Sequence, residues 1–218
     1  MNILESKMAA NPSASLNAFL EDFHDWRLKE FPEYATTADV HVYNHLLETL
    51  SLSKFDERTR KCEIFLSRLH GITKDKLTEM DMASYDLIED HLNIFIEGYK
   101  WRYYSACNPV SYLENIHVNF KSFLMDATPF ARKQDFTCYA NRLQCVPAQI
   151  DEQIELMKEA IINKTTLHRL SVEKVPLQLA EILELDTEQH PFYEPCKNHI
   201  GVIEGMCEYT NTQGSSSS

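Results

Sequence analysis

The chain of 218 residues carries 33 acidic and 21 basic side chains, a formal charge of −12, and so a surface that repels polyphosphate and disfavours nucleic acid and anionic membrane as partners. Five glycines and eight prolines, set against plentiful Leu, Glu, Lys, Ala and Met, disfavour sandwiches and doubly wound sheets. The expected fold is all-α, a multi-helix array of about eight to nine helices, with one domain at residues 14–209 and loose ends at 1–13 and 210–218.

Glu5 and Lys7 interrupt what would have to be the apolar core of a signal peptide, and no run reaches the roughly 20 apolar residues of a membrane span. The chain therefore reads as cytoplasmic, and the Asn-Lys-Thr sequon at Asn163 is then unused. Ser15 or Asn17 can cap a first helix whose stripe is Leu16, Phe19, Leu20, Phe23 and Trp26, with Pro32 beyond its end. Thr37 or Asp39 can open a short helix reaching Leu50. Residues 54–69 repeat the pattern with Cys62, Phe65, Leu66 and Leu69, and Gly71 stops it. Thr73 or Asp75 opens a long segment to about Ala106 striped by Leu77, Tyr85, Ile88, Leu92, Phe95, Ile96 and Tyr99. Helices are further expected at 110–125, 132–145, 147–163, 172–186 and 192–208. Pro109, Pro129, Pro147, Pro176 and Pro191 stand near their starts, where a missing N–H does no harm, and Asn108 is placed to cap the first.

Chemistry is sparsely signalled. There is no GxxxxGK[ST] phosphate cradle, no GxGxxG turn and no GxSxG elbow, and no histidine is followed by glutamate, which removes the HExxH zinc motif. In HVYNHLLE, residues 41–48, a helix would bring His41 and His45 to one face with Glu48 a turn beyond. These three are weak metal candidates, since isolated helix-face ligands compete with solvent. Cys196 and His199 have CxxH spacing, with His190 before and Cys207 after, but without the glycine-rich knuckles of zinc ribbons. Glu79, Asp81, Asp86, Glu89 and Asp90 lack the alternation of a calcium loop and read as a solvated helix face. Tyr99, Trp101, Tyr103 and Tyr104 could line a pocket, and read more simply as core and interface. The six cysteines form no CxxC pair and read as buried free thiols.

Several short strings are not explained by helical periodicity: PEYAT (32–36), AxVHxYN (38–44), SYDLI (84–88), NPV (108–110), YANRLQCVPAQIDEQIELMKEAI (139–161) and PFYEP (191–195). In this order and at these separations they resemble the N-terminal part of the domain-of-unknown-function family 885, over about residues 19–209. Members of that family look like zinc-dependent peptidases related to helical carboxypeptidase-like zincins. The resemblance implies a partial zincin-like helical domain, in which His41, Tyr43, Tyr85 and Arg142 fall on the family pattern or line a cleft. The family's zinc string, His-Glu-Ala-x-Pro-Gly-His, has no counterpart here, so no catalytic or metal residue carries over, and zinc is expected only in full-length relatives. Expected instead is a non-catalytic, truncated module binding a protein, a peptide or itself, with Ile200, Val202, Ile203 and Met206 as candidate interface residues. The alternatives are an N-terminal part completed by a separate catalytic half, and a small metalloprotein using His41, His45 and a distant ligand.

Overall fold

The computed structural model describes residues 11–104, 106–113, 128–198 and 201, and among these every regular element is a helix. The α-helices in chain order are α1 (Pro12–Glu30), α2 (Pro32–Thr37), α3 (Leu52–His70), α4 (Glu79–Gly98), α5 (Lys133–Asn163), α6 (Arg169–Val172), α7 (Val175–Leu183) and α8 (Glu194–Asn198). No described helix is long and apolar enough to cross a membrane. The chain divides into two compact units, Met1–Arg27 with Leu52–Arg102, and Leu28–Ser51 with Tyr103–Ser218.

In the first unit, α1 begins a turn earlier than Ser15. The side chain of Asn11 accepts the Ser13 N–H at 3.2 Å, its carbonyl accepts the Ser15 N–H at 2.9 Å, and Pro12 takes the first helical position. The expected stripe then buries Leu16, Phe19 and Phe23 against Cys62, Phe65 and Leu69 of α3 and Tyr85, Ile88 and Leu92 of α4. Phe65 meets Phe19 and Phe23 edge-on at 5.8 and 5.3 Å between ring centroids. Each such large side chain contributes roughly 1.5–3 kcal/mol by burial, so a three-helix core of this kind needs no further chemistry to cohere. Burial also pushes the Cys62 thiol up to about 12, with the Glu63 charge adding to the effect.

The helix expected from Thr73 starts instead at Glu79. A 3-10 turn, Lys74–Lys76, precedes it, and the hydroxyl of Thr78 accepts the Asp81 N–H at 3.2 Å, an N-cap reinforced by acidic residues in the first turn. Three residues of the acidic run on α4 have protein partners. Asp81 accepts from the Ser13 hydroxyl, Lys74 pairs with Asp86, and Glu89 lies 2.7 Å from His70.

In the second unit, the two helices expected at 132–145 and 147–163 are one. Pro147 lies inside α5, although an interior proline costs about 3 kcal/mol. The physical reason is the face that the helix buries: Tyr139, Arg142, Val146, Gln149, Gln153, Leu156 and Ala160 follow each other at spacings of three and four without a break. Breaking the helix at Pro147 would throw the second half of that stripe out of register, while Pro147 itself sits on the exposed side. Asn108 caps no helix among the described residues. Its side chain bridges, donating to the Thr165 carbonyl at 2.9 Å and accepting the Leu167 N–H at 3.2 Å. The expected helix at 110–125 lies largely outside the described residues, as do the two chain ends and most of 192–208.

Candidate binding site

The stretch from Val40 to Ser51 is not the short α-helix that the spacing of His41 and His45 requires. α2 ends with Asp39 at φ 62°, and the N–H groups of Asp39 and Val40 return to the carbonyls of Thr36 and Ala35 at 3.1 and 2.8 Å, a Schellman closure in which Asp takes the left-handed position usual for Gly. A single 3-10 turn, His41–Tyr43, follows, and the chain then runs without regular structure to Ser51. His41 and His45 therefore do not share a helical face. The His41 ring lies between Asp39, 2.9 Å from Nε2, and Asn44, 3.3 Å from Nδ1, while His45 is exposed.

An irregular segment leaves its main-chain polar groups without a ladder, and burying them unpaired is costly. α5 supplies the partners. Arg142, with no solvent exposure, donates from Nε to the Leu46 carbonyl at 2.8 Å and from one terminal nitrogen to the Tyr43 carbonyl at 3.2 Å and the Thr36 hydroxyl at 2.9 Å. Thr36 in turn donates to Asn44 at 2.8 Å. One turn pair along, Gln149 donates to the Glu48 carbonyl at 2.9 Å, and Glu152 accepts the Leu50 N–H at 2.7 Å. The carboxylate of Glu33 accepts the Glu48 N–H at 3.0 Å. Glu48 is thus fixed by its backbone. Burial lowers the Arg142 guanidinium to about 10, with the charge of Glu33 acting the other way, so it stays protonated at neutral pH and remains a full set of donors.

The anchored loop delivers Leu47 to a small core of Phe130, Tyr139 and Val146, against which Phe136, Leu143, Phe192 and Cys196 also pack. Beside this core is a cavity of about 490 Å³. One wall is Phe136, Tyr139, Ala140 and Leu143 of α5; the other comes from residues 185–196, with Leu185, Thr187, His190, Phe192, Tyr193 and Cys196. The second wall is held to the first by Tyr139, whose hydroxyl donates to the Phe192 carbonyl at 2.5 Å. It is braced locally by His190, whose Nδ1 accepts the Phe192 N–H at 3.2 Å and whose ring meets that of Phe192 edge-on at 4.8 Å.

The electrostatics of the cavity are those of a neutral apolar site. Burial raises the Tyr139 phenol above the ordinary tyrosine range, with the Cys196 charge a secondary cause, and raises the Cys196 thiol. Cys196 is therefore a thiol rather than a thiolate at neutral pH, and a poor nucleophile. Because Nδ1 of His190 accepts a hydrogen bond, its neutral imidazole carries the proton on Nε2. Among the described residues that Nε2, the Thr187 hydroxyl and the Tyr193 hydroxyl make no hydrogen bond, so three residues of the lining carry an unused polar atom. This is the usual construction of a pocket that binds an apolar group and orients it by a few hydrogen bonds.

The residues singled out from sequence distribute as follows. His41, Tyr43 and Arg142 come together in the anchored loop, Tyr43 through its carbonyl. Tyr85 belongs to the first unit, buried in its core and facing Lys74, whose Nζ is 4.9 Å from the ring centroid. His190 and Cys196, considered for their metal-ligand spacing, both line the cavity, whereas His199, Cys207, Ile200, Val202, Ile203 and Met206 lie outside the described residues. No group of three His, Cys, Asp or Glu that could hold a metal ion occurs among the described residues. Trp101 and Tyr104, in the aromatic cluster, are exposed.

A family model for bacterial proteins of unknown function, DUF885, matches residues 32–209. The chain belongs to this family. No curated protein and no solved structure matches it. The matched span runs from α2 through the anchored loop and through α3 and α4 to both walls of the cavity. The cavity residues were not singled out as a set by sequence reasoning. The available signals were PFYEP and YANRLQCVPAQIDEQIELMKEAI, strings unexplained by helical period, which carry Phe192 and Tyr193 of one wall and Tyr139, Ala140 and Leu143 of the other.

Proposed function

We propose that this DUF885 chain is a non-catalytic helical binding module, which captures an apolar side chain of a peptide or protein in the cavity between α5 and residues 185–196. The observation that carries the reading is the cavity itself: about 490 Å³, walled by hydrocarbon, with its phenol and thiol kept neutral by burial. Such a wall favours an aromatic or branched aliphatic group and provides no activated nucleophile. The relation to helical zinc peptidases belongs to the same proposal. The scaffold of a zincin-like array is used here to shape a cleft, and residues 1–218 contain no His-Glu-Ala-x-Pro-Gly-His string to hydrolyse what enters it.

The test is peptide binding followed by fluorescence anisotropy. A short peptide with a central Phe is expected to bind about 10- to 100-fold more tightly than its Gly counterpart, the gain from burying one large apolar side chain. Ala140, small and exposed on the cavity wall, allows the cavity to be filled without emptying a core: Ala140→Trp should remove the preference for Phe. Equal affinity for Phe and Gly peptides would overturn the reading. So would peptide hydrolysis by homogeneous protein that chelators abolish and added zinc restores.

A further inference from the structure

Along the wall formed by residues 185–196, up to Lys197 at its end, every formal charge is negative. From Val175 to Pro195 the chain holds Glu181, Glu184, Asp186, Glu188 and Glu194 and not one Lys or Arg. Glu184, Asp186 and Glu188 are exposed, alternate with the cavity residues Leu185 and Thr187, and make no ion pair among the described residues. On the α5 wall, Phe136 to Leu143, the one charged residue is Arg142, which is wholly buried and turned to the anchored loop. The cations nearest in sequence are Arg132 and Lys133 before that wall and Lys197 after the other, against Asp135, Glu184, Asp186, Glu188 and Glu194, so the two wall segments with their immediate flanks carry a net negative charge.

We propose, resting on the pocket reading above, that the occupant is a basic segment of a partner protein: a bulky apolar side chain seated in the cavity and flanked by Lys or Arg. An apolar floor gives affinity without choosing among hydrophobic ligands, whereas the exposed carboxylates of Glu184, Asp186 and Glu188 select by sign and speed encounter with a cationic partner. An acidic peptide, or a fatty acid presenting its carboxylate beside them, meets like charge.

Three labelled peptides separate the possibilities: a central Phe flanked by lysines, the same Phe flanked by glutamates, and a Gly flanked by lysines. The Lys-flanked Phe peptide is expected to bind tightest, and to weaken as salt screens these carboxylates. The exposed triple variant Glu184→Gln, Asp186→Asn, Glu188→Gln should weaken it about 5- to 10-fold and leave the Glu-flanked peptide unchanged or tighter, with circular dichroism confirming that helicity is retained. If the Glu-flanked Phe peptide binds as well as the Lys-flanked one, the basic partner is wrong and the pocket reading stands. If the Lys-flanked Gly peptide matches the Lys-flanked Phe peptide, or if neither Phe peptide binds, the pocket reading falls and takes this inference with it.

Discussion

Arg142 donates from Nε to the carbonyl oxygen of Leu46 at 2.8 Å, across 96 positions of the chain. The buried cation is spent on main-chain acceptors, so its role is to let an irregular segment lie against a helix without stranding its polar groups. The cavity depends on this indirectly. The same segment places Leu47 against the small core that includes Tyr139, and Tyr139 holds the opposite wall.

Replacing Arg142 should therefore loosen the loop before it affects anything else. Arg142→Met leaves the Leu46 and Tyr43 carbonyls without these donors, at a cost of about 2–4 kcal/mol for a set of buried bonds to a charged group. Arg142→Lys should recover little, because one ammonium cannot reproduce a planar fork. Amide exchange over residues 40–51 is the direct measure. Protection in Arg142→Met equal to that of the parent would show that the loop is held by something else.

Much of the first unit was legible in the sequence because its logic is apolar: Leu16, Phe19, Phe23, Phe65, Leu69 and Leu92 recur at helical spacing and are buried where that spacing puts them. The second unit was harder to read for a physical reason. Arg142, Gln149 and Gln153 occupy buried positions of a helical stripe, and a polar residue in a stripe looks like an interruption until the backbone it serves is known. The same ignorance split α5 at Pro147 and made a helix of residues 40–50. Both errors concern a segment whose conformation is decided by a partner about a hundred residues away rather than by its own propensities. The cavity was invisible because its two walls are far apart in sequence.

His41 and His45 have separate surroundings, and their substitution should show it. Zinc content of protein purified without chelator is expected to be the same for the parent and for the double variant His41→Ala, His45→Ala. His41 alone contributes to stability, through Asp39 and Asn44, and for so exposed a contact the loss should stay below about 1 kcal/mol. Loss of a bound equivalent of zinc in the double variant would restore the metal reading of this stretch.

α5 ends as α2 does, with a non-glycine residue in the left-handed region. Lys164 has φ 56°, and Thr165 N–H closes on the Ala160 carbonyl at 2.9 Å. Relieving that strain with Lys164→Gly should raise stability by about 1 kcal/mol, and Lys164→Val should lower it by a similar amount. Asp39→Gly should gain less, since it also removes the carboxylate that meets His41. Thermal unfolding of the three variants ranks them, and a Lys164→Gly variant less stable than its parent would show that the Lys side chain does something the helix end does not require.

His91 gives the first unit a pH dependence of known sign. Burial, and secondarily the charge of Arg27, lower its pKa below the ordinary value of 6.5, while the imidazole and the Phe23 ring meet in a T-shaped contact at 5.9 Å between centroids. The unfolded chain then binds a proton more readily than the folded one. The stabilising contribution is complete above 6.5 and is lost as pH falls through the depressed folded value, where a charged imidazole must sit beside Arg27. His91→Gln removes this increment. The difference in unfolding temperature between parent and variant should therefore shift in the variant's favour on going from about pH 7.5 to about pH 5. A difference that stays constant, or moves the other way, would mean that His91 titrates alike in the folded and unfolded chains or is held protonated by the fold.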